Sequence, residues 1–247
     1  MRNKTDTESL LTQQASDVLG FTRIGFFHFV LNHGDPIPEL RSAIKSENKA
    51  TSVHNCLIVL PEAFNIRKPY KEPGNCNHDP AVLVKLQHLA KVFQVTFVAG
   101  LIIHEYEEST PPYSSAYLID ETCFVLMCRK RLDDHNLCTH YSSCDHGYDH
   151  HNPTWHNNVC LIALICIDSG EPERKDALIA SFPESHKTVC IPACMASPNE
   201  RQLIALNWRD CDVILANSDP NGIGSFVSRS GTIVVSEVGN DNKVLLI

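Results

Sequence analysis

The sequence predicts an α/β domain of layered, mixed β-sheets, and three observations carry that prediction. Its strand-like segments are near-continuous apolar runs, as at residues 57–60 and 161–167, so the sheets they form are covered on both faces. Those runs alternate with stretches whose apolar residues recur at helical spacing, which is the order of an α/β fold. The chain closes with short strands separated by tight turns, antiparallel in character, which makes the sheets mixed. No internal repeat or Gly/Ser linker divides residues 1–247, which are read as one domain.

Taken in order, residues 22–32 and 54–61 read as strands, with a helix between them over 38–46. Asp79-Pro80-Ala81 opens an amphipathic helix, because proline suits the first turn and Val82, Leu83, Leu86, Leu89, Ala90 and Phe93 share one face. Strands follow at 95–104, 115–120 and 122–129, the last two as a hairpin. Beyond an irregular stretch come a strand at 158–167, a charged helix over 171–181 and a strand at 187–193. Ser197-Pro198-Asn199-Glu200 opens a further helix, and strands at 212–216, 225–229, 232–238 and 243–247 finish the chain.

Composition narrows the function classes. A formal charge of −8 (21 basic against 29 acidic residues) with no basic stripe gives no footprint for nucleic acid. Hydrophobic content of 43% and charged content of 20% fit a soluble globular chain. The beginning, Met1-Arg2-Asn3-Lys4-Thr5-Asp6, leads into no signal-type apolar stretch, and the apolar runs near 97–103 and 159–167 fall short of the roughly 20 residues of a membrane span. The expectation is a soluble, cytoplasmic protein with no membrane partner. In that setting the 11 cysteines read as small buried hydrophobes rather than a disulfide framework, with Cys56, Cys123, Cys128, Cys160 and Cys190 all in apolar runs.

Three of the apolar runs end on a reactive side chain. Leu57-Ile58-Val59-Leu60-Pro61 delivers Glu62, Val125-Leu126-Met127-Cys128-Arg129 delivers Lys130, and Leu161-Ile162-Ala163-Leu164-Ile165 delivers Cys166. A base, a fixed cation and a sulfur nucleophile are the parts of acyl transfer through a thioester. Ligands of open α/β sheets gather outside the carboxyl ends of strands, where all three would stand. Each has a plain alternative: Glu62 as a solvated strand-end acid, Lys130 as part of the charge run Arg129-Lys130-Arg131, and Cys166 as core like Cys160.

Residues 133–157 form a long histidine-rich loop with His135, His140, His146, His150, His151 and His156, joined by Cys138, Cys144, Asp145 and Asp149. Loops of this length are often functional, and this one is expected to border the active site. It contains no CxxC or HExxH, so no metal ligand set is assigned, and metal binding stays as a third reading of the chain.

With these residues in place the chain resembles the nitrilase superfamily, the carbon–nitrogen hydrolases. The likeness rests on Leu60-Pro61-Glu62-Ala63-Phe64, Cys128-Arg129-Lys130-Arg131-Leu132 and Ile165-Cys166-Ile167-Asp168, which match that family's three motifs in order and separation. It extends through Val98-Ala99-Gly100-Leu101, Ser114-Ser115-Ala116-Tyr117, Ile191-Pro192-Ala193, Ala216-Asn217 and Gly224-Ser225-Phe226, from about residue 22 to 238. The chain departs from the pattern at Cys128 and Ile167, where aromatics are usual, and at Ser169-Gly170-Glu171-Pro172-Glu173 in place of Arg-Phe-Pro-Glu. It has no glutamate between Lys130 and Cys166, where many members carry a second one; Asp133, Asp134 or Asp145 stands in for it, or the role is empty.

The resemblance implies a four-layer α-β-β-α sandwich with two mixed β-sheets, a homodimer paired through an α-face, and a small-molecule amide-type substrate. It implies Glu62 as the base for Cys166, whose free thiol would otherwise ionise near about 8.5, and Lys130 with the backbone N–H of Ile167 as the oxyanion site. Asp168 and Asn217 are read as supporting residues that hold turns near the site. No cofactor is called for. The apolar C-terminal strand is a candidate for exchange between subunits. The competing reading is a member of the fold that has lost catalysis and serves as a binding or regulatory protein.

Overall fold

Two six-stranded sheets packed face to face, with helices on their outer surfaces, make a four-layer α-β-β-α sandwich. This computed structural model describes residues 20–29, 36–65, 80–103, 113–130, 154–166, 187–194, 200–219, 224–239 and 241–247. The first sheet holds β1 (Arg23–His28), β2 (Cys56–Leu60), β3 (Thr96–Ile103), β4 (Tyr113–Ile119), β5 (Phe124–Arg129) and β12 (Lys243–Leu246), in the order β12-β1-β2-β3-β4-β5. The second holds β6 (Thr154–His156), β7 (Val159–Ala163), β8 (Lys187–Ala193), β9 (Asp212–Asn217), β10 (Ser225–Arg229) and β11 (Thr232–Glu237), in the order β11-β10-β9-β8-β7-β6. Each sheet has three parallel strands at its centre, β1-β2-β3 and β7-β8-β9, with antiparallel neighbours outside.

The doubly covered sheets explain the continuous apolar runs. On β2, Leu57 and Val59 join the core between the sheets, whereas Cys56, Ile58 and Leu60 pack beneath the helices. Helices α1 (Pro36–Ala50) and α2 (Ala81–Phe93) supply that outer cover through Leu40, Ile44, Leu83, Leu86 and Leu89. Helix α3 (Glu200–Asn207) and the turn after it bring Ile204, Ala205 and Trp208 into the core of the second sheet. The run of α2 ends where Gln94 takes a left-handed conformation (φ 53°) and returns its N–H to the Ala90 carbonyl, a capping turn.

Some elements differ from the sequence expectation. The strand expected over 158–167 stops at Ala163, and at Cys166 the backbone has left the extended region altogether, with φ 52°. Within the stretch read as irregular, residues 154–156 form an edge strand against β7 through a two-residue turn, Asn157-Asn158, with φ of 48° and 64°. Paired left-handed residues are what a tight hairpin needs, and asparagine tolerates that conformation. Cys123 is exposed, not core, because it sits in the β4–β5 turn where the Asp120 carboxylate accepts from the Thr122 and Cys123 N–H groups. The C-terminal strand, expected over 243–247, spans Lys243–Leu246 and forms an edge of the first sheet, antiparallel to β1. The helix expected over 171–181 and the Ser197-Pro198-Asn199 helix start lie outside the described residues. Among the described residues no helix is long and apolar enough to cross a membrane.

Trp208 is the largest fully buried side chain and is 1% exposed. Trp208→Ala is expected to cost about 3–5 kcal/mol in urea unfolding, the range for truncating a buried aromatic.

Candidate active site

Glu62 begins as a joint between the two sheets. Pro61 ends β2 without an N–H to extend the ladder, and the Glu62 N–H crosses to the Ala193 carbonyl at the end of β8 (3.3 Å). The chain then turns sharply. Ala63 has φ 56°, the Phe64 N–H bonds the Gly100 carbonyl (3.0 Å), and the Asn65 side chain clasps the Ile102 backbone. That clasp is two-pronged: Nδ2 donates to the carbonyl at 2.7 Å and Oδ1 accepts from the N–H at 2.9 Å. Gly100 leaves the room this turn needs, since a Cβ there would stand 2.8 Å from the Glu62 Cα and 2.6 Å from the Pro192 Cβ.

Lys130 reaches the same place from β5. Its N–H bonds the Ser114 carbonyl (2.8 Å), one residue past the last strand position. Alternation of side chains along the strand separates it from Arg129, whose guanidinium lies over the Tyr113 ring at 4.9 Å. The Lys130 ammonium donates to Glu62 Oε1 at 2.9 Å, and the Ser114 hydroxyl donates to the same oxygen at 3.0 Å. Both charged side chains are almost fully buried, at 3% and 4% exposure. The other carboxylate oxygen, Glu62 Oε2, is buried and has no hydrogen-bond partner among the described residues.

Cys166 approaches from the second sheet. Its left-handed backbone lifts it out of the β7 line, and its thiol donates to the Cys194 carbonyl at 3.7 Å. Glu62 and Cys166 are thus anchored on consecutive carbonyls, those of Ala193 and Cys194. Burial raises the Cys166 thiol well above the ordinary thiol range; the Glu62 charge raises it further and the Lys130 charge opposes. The thiol therefore feels both members of the ion pair, and at neutral pH it keeps its proton. An acceptor oxygen, a fixed cation and a thiol share one buried corner, which is what proton removal and oxyanion stabilisation require.

Of the six residues expected at the site, Glu62, Lys130 and Cys166 are brought together. Ile167 and Asp168 lie outside the described residues, as do Asp133, Asp134 and Asp145. Asn217 is buried at the end of β9, where its N–H bonds the Ser225 hydroxyl (2.9 Å), and the next residue's N–H shares the Ala193 carbonyl with Glu62. Most of the histidine-rich loop is also outside the described residues. His156, the exception, lies at the opposite end of the parallel strands, between Thr96 Oγ1 (3.1 Å) and Asp120 (3.7 Å) and stacked on Phe21. No three His, Cys, Asp or Glu side chains among the described residues could hold a metal ion. Sequence reasoning missed Ser114, Asn65 and Gly100 as shapers of the site, although Ser114 and Gly100 fall in segments that carried the resemblance.

No family model and no curated protein matches the sequence. Solved structures do. A carbon-nitrogen hydrolase from Helicobacter pylori G27 superposes with a TM-score of 0.71 at 15% identity, over 91% of this chain and 87% of that one. A cysteine-to-alanine mutant of the amidase from Nesterenkonia sp. AN1 in complex with butyramide gives 0.68 at 18% identity, over 91% and 89%. Saccharomyces cerevisiae Nit3, a member of branch 10 of the nitrilase superfamily, gives 0.64 at 18% identity, over 91% and 88%. The chain has the fold of these carbon–nitrogen hydrolases.

Two predictions follow the geometry. Because the Glu62 charge raises the Cys166 thiol and the Lys130 charge lowers it, Glu62→Gln shifts its ionisation to lower pH and Lys130→Ala to higher pH. Thiolate absorbance, taken as the difference from Cys166→Ser, reads this directly, and an upward shift in Glu62→Gln contradicts the arrangement. Asn65→Ala removes both side-chain hydrogen bonds to the buried Ile102 backbone and is expected to cost roughly 1–3 kcal/mol in chemical denaturation.

Proposed function

We propose that this chain is a carbon–nitrogen hydrolase that cleaves the non-peptide C–N bond of a small amide or carbamoyl compound through a thioester on Cys166. The observation that carries this reading is the buried Lys130–Glu62 pair, electrostatically coupled to a thiol at the converging strand ends. An isolated buried ion pair is a poor way to stabilise a fold, so its persistence beside a nucleophile favours chemistry. Two neighbouring structures support the same choice: the cysteine-to-alanine mutant of the Nesterenkonia amidase is in complex with butyramide, and its glutamate-to-glutamine mutant shows Michael addition of acrylamide at the active site cysteine.

In the proposed reaction, Cys166 Sγ attacks the carbonyl carbon while its proton passes to Glu62 Oε2, the carboxylate oxygen without a hydrogen-bond partner among the described residues. Lys130 and the Ile167 N–H receive the developing oxyanion; one such donor is worth roughly 3 kcal/mol. The C–N bond breaks as Glu62 returns the proton to the departing nitrogen, releasing ammonia or an amine. Water, deprotonated by Glu62, then attacks the thioester and frees the acid and the Cys166 thiol. Keeping the thiol protonated at rest fits this sequence, because the thiolate forms only as the substrate carbonyl is engaged. Asp168 and Asn217 serve as supports for the turns, and a homodimer of single-domain subunits belongs to the same reading.

Ammonia release from a panel of small amides, ureas and nitriles tests the assignment. Cys166→Ala is expected to abolish turnover, and Glu62→Gln and Lys130→Ala each to lower kcat/KM by about 10²–10⁴. Undiminished activity in Cys166→Ala refutes the mechanism. Inactivity of the unaltered chain across the whole panel favours a fold that has lost catalysis, the reading motivated by the absent glutamate between Lys130 and Cys166.

A further inference from the structure

The proposed reaction makes no use of the outer helical layer of the first sheet. There α1 and α2 lie side by side, and a groove of about 590 Å³ opens between them, inside the roughly 300–1,000 Å³ typical of small-molecule sites. Val84 and Leu89 contribute apolar wall, and Val84 is 59% exposed. Three cations share the lining, Arg41 and Lys45 one turn apart on α1 and Lys85 on α2, with His88 as a fourth basic side chain beside them.

Among the described residues no acid lines this groove with them. Neither acid of α1 lines the groove: Glu47 pairs with Arg23 at 3.2 Å, and Glu39 accepts from the Asn242 side chain. Helix α2 contains no Asp or Glu at all. Among the described residues none of the four basic side chains has a carboxylate partner. Like charges stacked a turn apart work against a helix, so this concentration in a chain of net charge −8 calls for a counter-charge. Cationic heads around an apolar wall match one kind of molecule, with a negative end and a short hydrocarbon body.

We propose that this groove binds a soluble amphipathic anion, a carboxylate or phosphate headed by contacts to Lys45 and Lys85 with its apolar body against Val84 and Leu89. The site stands apart from Glu62, Lys130 and Cys166, so its existence does not depend on the hydrolase reading.

Calorimetric titration of the full chain with monomeric octyl phosphate, with inorganic phosphate and with phosphatidylglycerol vesicles tests it. Octyl phosphate is expected to saturate one site per chain, with inorganic phosphate at least about tenfold weaker. The double variant Lys45→Gln/Lys85→Gln and the single variant Val84→Asn should each weaken octyl phosphate by about tenfold or more. All three positions are exposed, and thermal melting by circular dichroism confirms that the variants fold as the parent does. The proposal is overturned by any of four results: no saturable binding of octyl phosphate, binding that neither variant weakens, inorganic phosphate binding equally well, or binding to vesicles alone.

Discussion

The contact between Lys130 and Glu62 is the constraint to which the surrounding architecture answers. Two opposite charges, 2.9 Å apart and almost without solvent, are held in place by a network rather than by their attraction alone. Burying such a pair gains little over apolar packing, whereas removing one partner leaves an uncompensated charge at a cost of about 3–5 kcal/mol. The carboxylate is therefore braced on every side available. Ser114 shares its Oε1, the Glu62 N–H is tied to the second sheet, and Asn65 and Gly100 fix the turn behind it. Among the described residues this bracing leaves one carboxylate oxygen, Oε2, buried and without a hydrogen-bond partner.

Topology explains how three residues so distant in sequence meet. Glu62 and Cys166 both follow a central parallel strand, β2 in one sheet and β7 in the other. Lys130 follows β5, which is antiparallel to β4 as β4 is to β3, so β5 again points the way of β3 and ends on the same side. The Ala193–Cys194 backbone at the end of β8 completes the joint by accepting from Glu62 on one side and Cys166 on the other. Facing sheets with the same strand sense thus turn three separate strand ends into one corner, in keeping with the general placement of ligands at the carboxyl ends of parallel strands.

Much of this was legible in the residues because burial on both faces writes itself as uninterrupted apolar runs. The strands at 187–193 and 225–229 have the bounds that their sequences indicate. The strand before Glu62 was also plain, since proline after four large apolar residues marks both the run and its stop, although it spans Cys56–Leu60 and not the expected 54–61. Other features left no local trace. Asn65 finds its partner 37 residues away, and the amide's role depends on the neighbouring strand, not on its own surroundings in sequence. Residues 154–156 form a strand too short to show a period, and its one large apolar residue, Trp155, is exposed. Cys123 illustrates the opposite error: its apolar neighbours on one side suggested burial, but the Asp120 turn sets its position.

The most direct test of the central claim is acyl trapping on Cys166. Brief exposure of the protein to a small activated amide or ester, followed by acid quench and peptide mass mapping, reports which side chain carries the acyl group. The added mass is expected on the peptide containing Cys166, and is expected to be absent when Lys130 is replaced by alanine. An acyl group found equally on the other cysteines, or on none, would contradict the claim.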